Sequence, residues 1–212
     1  MKGSRTKKSI GAKEIHVILD LDNTLVYSFD IFNPEPREKI PNFVSLGKVK
    51  SHMLTNSKGE TEFLVTERPY LQPFLTWLFK YFMVSVWSAG SPDYVKFIVD
   101  KCIKKGGKGR KLVKVFNSIT CDKSREKYST VKDLRLLYDG PGKFRPTNTL
   151  IVDDLPEVIK SNPANSIRIV KYSARTSQSQ DDGLPWVREE LKTIRRNFRR
   201  TGDITSPIEI TL

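Results

Sequence analysis

Only two cysteines, Cys102 and Cys121, occur in 212 residues. That is too few for a disulfide scaffold, and they lack metal-ligand spacing, so they fit a reducing compartment. Histidine is equally scarce: His16 and His52 have no acidic or cysteine neighbours at ligand spacing in the sequence and read as incidental. No membrane-length apolar run is present. The most apolar stretch, Tyr70 to Trp87, is broken by Gln72, Pro73 and Lys80, which makes it a core helix plus a strand. Acidic residues are absent from residues 1–13, which carry five basic ones and no apolar signal-peptide core. This segment reads as a basic N-terminal arm, and a nuclear or cytoplasmic rather than secreted location is expected.

The balance of charge is strongly basic, with 37 Lys and Arg against 24 Asp and Glu, a formal net charge of +13. Such a surface favours an anionic partner, though a merely solubilising surface fits the number too. Residues 101–114 hold seven basic residues and no acidic one, around Gly106, Gly107 and Gly109. They read either as a solvated loop or as a guide for a phosphorylated chain or nucleic acid. Aromatics suited to base stacking are sparse there, so direct nucleic-acid readout is not supported. The Arg195, Arg196, Arg199 and Arg200 cluster suits the end of a helix and is mainly structural.

The chemistry is carried by Ile18-Leu19-Asp20-Leu21-Asp22-Asn23-Thr24-Leu25-Val26. An apolar, β-branched run ends here in Asp-x-Asp, and burying two neighbouring carboxylates costs several kcal/mol unless something neutralises them. A solvated Asp-rich turn is the bland reading. A hard divalent cation at the strand end is the sharper one. Two more apolar strands end in polar groups: Met83–Trp87 runs into Ser88, and Thr149–Val152 runs into Asp153 and Asp154. Helical spacing in Leu71, Phe74, Leu75, Leu78 and Phe79, then across residues 92–103, 129–138, 156 onward and 184–196, alternates with these strands. Phe43–Leu46 and Thr61–Val65 suggest a small strand pair over the sheet edge. This predicts an α/β fold with a central parallel sheet, helices on both faces and a small β insert near the active site. The domain expected is 14–200, with inserts 28–66 and 106–128 and a tail 201–212. At this length one such domain would bury roughly 70% of its unfolded surface.

In a parallel sheet all strand C-terminal ends open on one edge, where ligands bind. Asp20, Asp22, Ser88, Asp153 and Asp154 would meet there, with Lys132 supplied from a neighbouring helix: a site for a metal and a phosphoryl group. The order Asp-x-Asp-x-Thr, Ser after a strand, Lys, Asp-Asp resembles the haloacid dehalogenase superfamily. With Leu19–Val26, Arg68-Pro69 and Val131-Lys132-Asp133-Leu134, it is similar to the RNA polymerase II C-terminal-domain phosphatase family, including its small and nuclear-envelope members.

The resemblance covers about residues 15–195 and implies a three-layer haloacid-dehalogenase-like fold. It also implies a Mg²⁺-dependent phosphatase working through an aspartyl-phosphate, with phosphoserine or phosphothreonine protein as substrate. Asp20 would be the nucleophile and Asp22 the proton shuttle with a raised pKa. Ser88 and Lys132 would hold the phosphoryl group, with Thr24 chiefly supporting the loop. Asp20, Asp22 through its backbone carbonyl, and Asp153 or Asp154 would hold Mg²⁺. Lys123 and Lys127 compete with Lys132 for the lysine role.

Ser88 keeps the hydroxyl of the usual Thr, Asn23 replaces Glu or Gly, and Asp154 replaces the Asn of small members. Phe116, Ile119 and Tyr128 are candidate apolar substrate contacts. A nucleic-acid-end or nucleotide phosphatase, and a non-catalytic binding module of the same fold, are the alternatives.

Overall fold

The computed structural model describes residues 14–31, 49–56, 58–140, 143–175 and 181–205. Along the chain run β1 (His16–Leu19), β2 (Val26–Asp30), β3 (Ser51–Thr55), β4 (Thr61–Glu67), α1 (Leu71–Tyr81), β5 (Met83–Trp87) and α2 (Pro92–Ile98). A turn of π-helix, Val99–Lys104, extends α2. There follow β6 (Val115–Phe116), α3 (Ser118–Tyr128), α4 (Arg135–Tyr138), β7 (Thr149–Asp153), α5 (Pro156–Ser161), β8 (Ser166–Arg168) and α6 (Gly183–Thr201).

Five strands make one sheet in the order β6-β5-β1-β7-β8, and every pairing in it is parallel. β1 lies at the centre, with Leu19 level with Val86 of β5 and Val152 of β7. Its four residues are all buried, so it needs apolar side chains on both faces, and the sequence supplies them. Val17, Leu19, Val84, Val86 and Val152 pack on one side against Phe74, Leu75 and Leu78 of α1, Val95 of α2, and Leu184, Val187 and Leu191 of α6. Ile18, Trp87 and Ile151 pack on the other against Cys121, Leu134, Leu137 and Val158. The result is three layers, helix–sheet–helix, as the haloacid-dehalogenase-like pattern requires. A separate antiparallel sheet, β2-β4-β3, forms the β insert beside the strand ends.

Helix boundaries follow local chemistry. Ser91 caps α2 by accepting from the Tyr94 amide at 3.4 Å, with Pro92 in the first turn. Gly202, at φ +78°, closes α6.

One expectation changes and another gains detail. Residues 118–128, read as part of an insert, form a helix that the apolar spacing misses because only Cys121 and Ser124 are buried on it. The helix expected over 129–138 shrinks to Arg135–Tyr138. Ser129, at φ +58°, ends α3, and the Asn162 side chain takes up the backbone of Lys132 and Leu134, so Lys132 lies on a connecting segment. The strand expected at 43–46 falls outside the described residues, as do the basic arm and residues 206–212; Ser51–Thr55 is a strand that pairs with β4.

Candidate active site

β1, β5 and β7 all deliver polar side chains to the same sheet edge. Asp20 follows β1, and its amide donates to Val152 O at 3.0 Å, so it is locked to β7 as the strand ends. Asp153 closes β7 and Asp154 follows it; Ser88 follows β5. The loop after Asp20 is a tight turn. Asn23 has φ +58°, and its amide donates to Val26 O at 2.8 Å. Asparagine is among the few non-glycine residues that take this left-handed conformation at low cost, so the departure at this position is a backbone choice. Thr24 is fully buried and donates to Asp154 Oδ1 at 3.4 Å, tying the two ends of the site together.

Lys132 is the keystone of the charge pattern. Its ammonium is 1% exposed and donates to both Asp20 Oδ1 and, at 2.8 Å, Asp153 Oδ2. Burial pulls its pKa down, but Asp20 and Asp153 outweigh that and hold it above the ordinary lysine value. Lys123 is exposed on α3, and Lys127 pairs with Asp139 at 3.1 Å, so neither reaches the edge.

Asp153 is raised to about 7 by burial and then by Asp20, and Asp154 is raised for the same two reasons. Asp20, Asp153 and Asp154 are all buried, and one carboxylate oxygen from each lies within 4.8 Å of the others. Among the described residues Lys132 is the ammonium bonded to this trio, with exposed Lys171 acting on Asp154 from farther off, so three carboxylates share one bonded cation. A cluster of hard oxygens with that deficit fits a divalent cation of the Mg²⁺ kind.

Asp22 is placed differently. Its carboxylate turns away from the acidic trio toward the Tyr94 hydroxyl, which donates to Oδ1, and Ser88 Oγ, which donates to Oδ2 at 3.4 Å. Burial, then the nearby Asp20 charge, push its pKa up to about 6, against the lowering effect of Tyr94, Lys132 and Ser88. Two carboxylates two residues apart thus occupy distinct environments, one bonded to an ammonium and the other raised toward neutrality. That division suits nucleophile and acid–base roles. Ser88 Oγ also accepts from the Gly90 amide at 3.0 Å.

Two residues central to the arrangement, Tyr94 and Asn162, escape a reading of the sequence alone, as does the contact made by a third, Arg68 of the Arg68-Pro69 motif. Tyr94 reads there only as an apolar helix position, although Ser91-Pro92 fixes the helix phase that aims it at Asp22. Asn162 holds the Lys132 segment, donating to Lys132 O at 2.8 Å and accepting from Leu134 N at 2.9 Å. Arg68 donates to Thr24 O at 3.1 Å and to Asp181 Oδ1 at 2.9 Å, bracing the Asp20–Thr24 loop from behind.

The suggested apolar contacts diverge. Phe116 packs on Trp87 and Phe144, with ring centroids 5.5 and 6.1 Å away, and Tyr128 lies under Arg135, 4.5 Å from its ring, while Ile119 is exposed.

The family model described as NLI interacting factor-like phosphatase matches residues 15–202. The CTD phosphatase-like protein 355R of Invertebrate iridescent virus 6 is 34% identical over 172 residues, covering 79% of this chain and 91% of that protein. Its counterpart in Invertebrate iridescent virus 3 is 30% identical over 185 residues, 84% and 96% of the two chains. Among solved structures, the beryllium fluoride complex of fission yeast RNA polymerase II CTD phosphatase Fcp1 superposes with a TM-score of 0.62 at 18% identity. It covers 91% of this chain and 69% of that one, a likeness of fold. With motif order, sheet topology and family match in agreement, the chain belongs to the NLI interacting factor-like phosphatase family.

Proposed function

We propose that this phosphatase hydrolyses phosphomonoesters through an aspartyl-phosphate on Asp20, with phosphoserine or phosphothreonine in a protein chain as substrate. The observation that carries the reading is the difference between the two environments: Asp20 is bonded to Lys132, whereas Asp22, raised to about 6, faces Tyr94 and Ser88.

An Asp20 carboxylate oxygen attacks phosphorus in line. The new O–P bond forms as the ester P–O bond breaks, and the departing oxygen takes the proton of the Asp22 carboxyl. Asp22, now ionised, accepts a proton from water as that water attacks the phosphorus, which releases phosphate and restores Asp20. Ser88 Oγ and the Lys132 ammonium would donate to the phosphoryl oxygens, where charge grows in the transition state. Asp20, Asp153 and Asp154 would hold Mg²⁺, which when bound neutralises charge on the phosphoryl group.

The phosphoprotein assignment is supported by family membership and by the relatives' names as CTD phosphatases. It is tested by turnover of p-nitrophenyl phosphate with and without Mg²⁺, in wild type and Asp20→Asn. A phosphoserine peptide is then set against a 3′-phosphorylated oligonucleotide. Wild-type turnover no higher than that of Asp20→Asn would end the enzymatic reading. Preference for the oligonucleotide would move the substrate to nucleic-acid ends.

A further inference from the structure

Away from the sheet edge, a second group of ligand-type side chains comes together from three elements. His52 of β3, Glu67 at the end of β4 and Cys102 of the π-helical turn place one ligand atom each within 4.8 Å of one another. We infer that His52 Nε2, Glu67 Oε1 and Cys102 Sγ form a binding site for a borderline-soft divalent cation such as Zn²⁺, distinct from the acidic trio of the active site.

The donor set is the first argument. Imidazole, carboxylate and thiolate together select Zn²⁺ and its neighbours, whereas Mg²⁺ avoids sulfur. In a tetrahedral site with bonds of about 2.0–2.3 Å, donor atoms sit roughly 3–4 Å apart, so this trio needs to close only slightly.

The surroundings are the second. Glu67 is held by Gln72, whose Nε2 donates to Glu67 Oε2 at 2.8 Å and to Cys102 O at 2.9 Å. Gln72 is fixed in turn by Arg110, which donates to Gln72 Oε1 at 2.7 Å. Such an outer layer orients ligands in metal sites. Cys102 Sγ is fully buried and makes no hydrogen bond among the described residues. π-Helical turns such as the one carrying it are rare and concentrate at functional positions.

The third is the cation already there. Lys50 Nζ lies 2.9 Å from Glu67 Oε1, the oxygen that also meets His52, and its side chain is 51% exposed against 4% for Glu67. A flexible ammonium thus fills the cationic position and can swing into solvent when a metal enters from that side. Burial, then Glu67, push the Cys102 thiol up to about 12, so the metal-free site holds S–H. Coordination forms the metal–sulfur bond and releases that proton to water, and binding therefore tightens as pH rises.

The test is Co²⁺ titration of the full chain under a non-thiol reductant with Mg²⁺ in excess, read by the near-ultraviolet thiolate-to-cobalt absorption band. Wild type should develop the band to one equivalent, and Zn²⁺ should abolish it. Cys102→Ala should lose the band, Cys121→Ala should keep it, and His52→Ala should weaken binding by at least about tenfold. Lys50→Ala, which removes the competing ammonium, should bind more tightly than wild type, a gain that general loosening of the fold would not produce. Absence of the band in wild type, or its loss in Cys121→Ala instead of Cys102→Ala, would overturn the assignment. So would weaker Co²⁺ binding by Lys50→Ala in a protein with wild-type circular dichroism.

Discussion

The Tyr94 hydroxyl donates to Asp22 Oδ1 across 72 residues of sequence, joining the first turn of α2 to the loop after β1. Its other partner is Ser28 Oγ on β2. One phenol therefore connects the β insert, the five-stranded sheet and the proposed acid–base carboxylate.

Asp22, at about 6, predicts the alkaline limb of the pH profile. The acid form is needed to protonate the leaving oxygen, so kcat/KM for an alkyl phosphate should be level below that value. It should fall about tenfold per pH unit above it. A profile flat from pH 5 to pH 8 would remove Asp22 from the first step.

Tyr94→Phe deletes a bond that lowers the Asp22 pKa. The alkaline limb should move to higher pH, and unfolding free energy should drop by about 1 kcal/mol for the lost hydrogen bond. Ring packing on Phe63, with centroids 5.4 Å apart, is kept by the replacement. An unmoved limb would show that the phenol is only structural.

Lys132→Met removes the single ammonium between Asp20 and Asp153. Without metal, two buried carboxylates then lose their partner, a cost of about 3–5 kcal/mol. The variant should melt well below wild type in chelator and regain more of its Tm than wild type does when Mg²⁺ is added. Turnover should remain depressed by on the order of 10²–10³-fold even with saturating Mg²⁺. Equal Mg²⁺-dependent shifts in the two proteins would contradict the shared charge balance.

His16 is buried, stacks on Phe144 with centroids 4.3 Å apart, and neither ring nitrogen has a hydrogen-bond partner among the described residues. Burial lowers its pKa from 6.5 to about 4. Below pH 6.5 the unfolded chain takes up a proton that the folded chain refuses, so stability present at neutral pH is lost as pH falls toward 4. The limit is about 3 kcal/mol. Urea denaturation of wild type and His16→Leu at pH 7 and pH 4.5 measures this directly. The leucine variant should lose less stability between the two values.

The sequence shows the strands that meet at the site clearly because β1, β5 and β7 are mainly apolar, as a strand buried on both faces must be, and each runs into Asp or Ser. It shows Lys132 through its neighbours, yet places it on a helix, because nothing local reveals that Asn162 takes over that backbone. α3 is hidden for the opposite reason: a surface helix burying only Cys121 and Ser124 has almost no apolar period to detect. His52, Glu67 and Cys102 are far apart in sequence and meet only through the β3–β4 pairing and the π-helical turn. For that reason His52 looks incidental in the sequence, although it lies 2.9 Å from Glu67 in the fold.

Arg68 holds Thr24 O with one nitrogen and Asp181 with another, and Gly183 is where this guanidinium passes. A Cβ there would sit 2.1 Å from Arg68 Nη2. The loop bearing Asp20 and Asp22 is among the earliest parts of the domain to be synthesised, while its brace arrives with the start of the last helix. A nascent chain still lacking residue 181 has Asp20 and Asp22 but not the strut behind them. The brace behind the Asp20–Asp22 loop is therefore completed only when nearly the whole domain has left the ribosome.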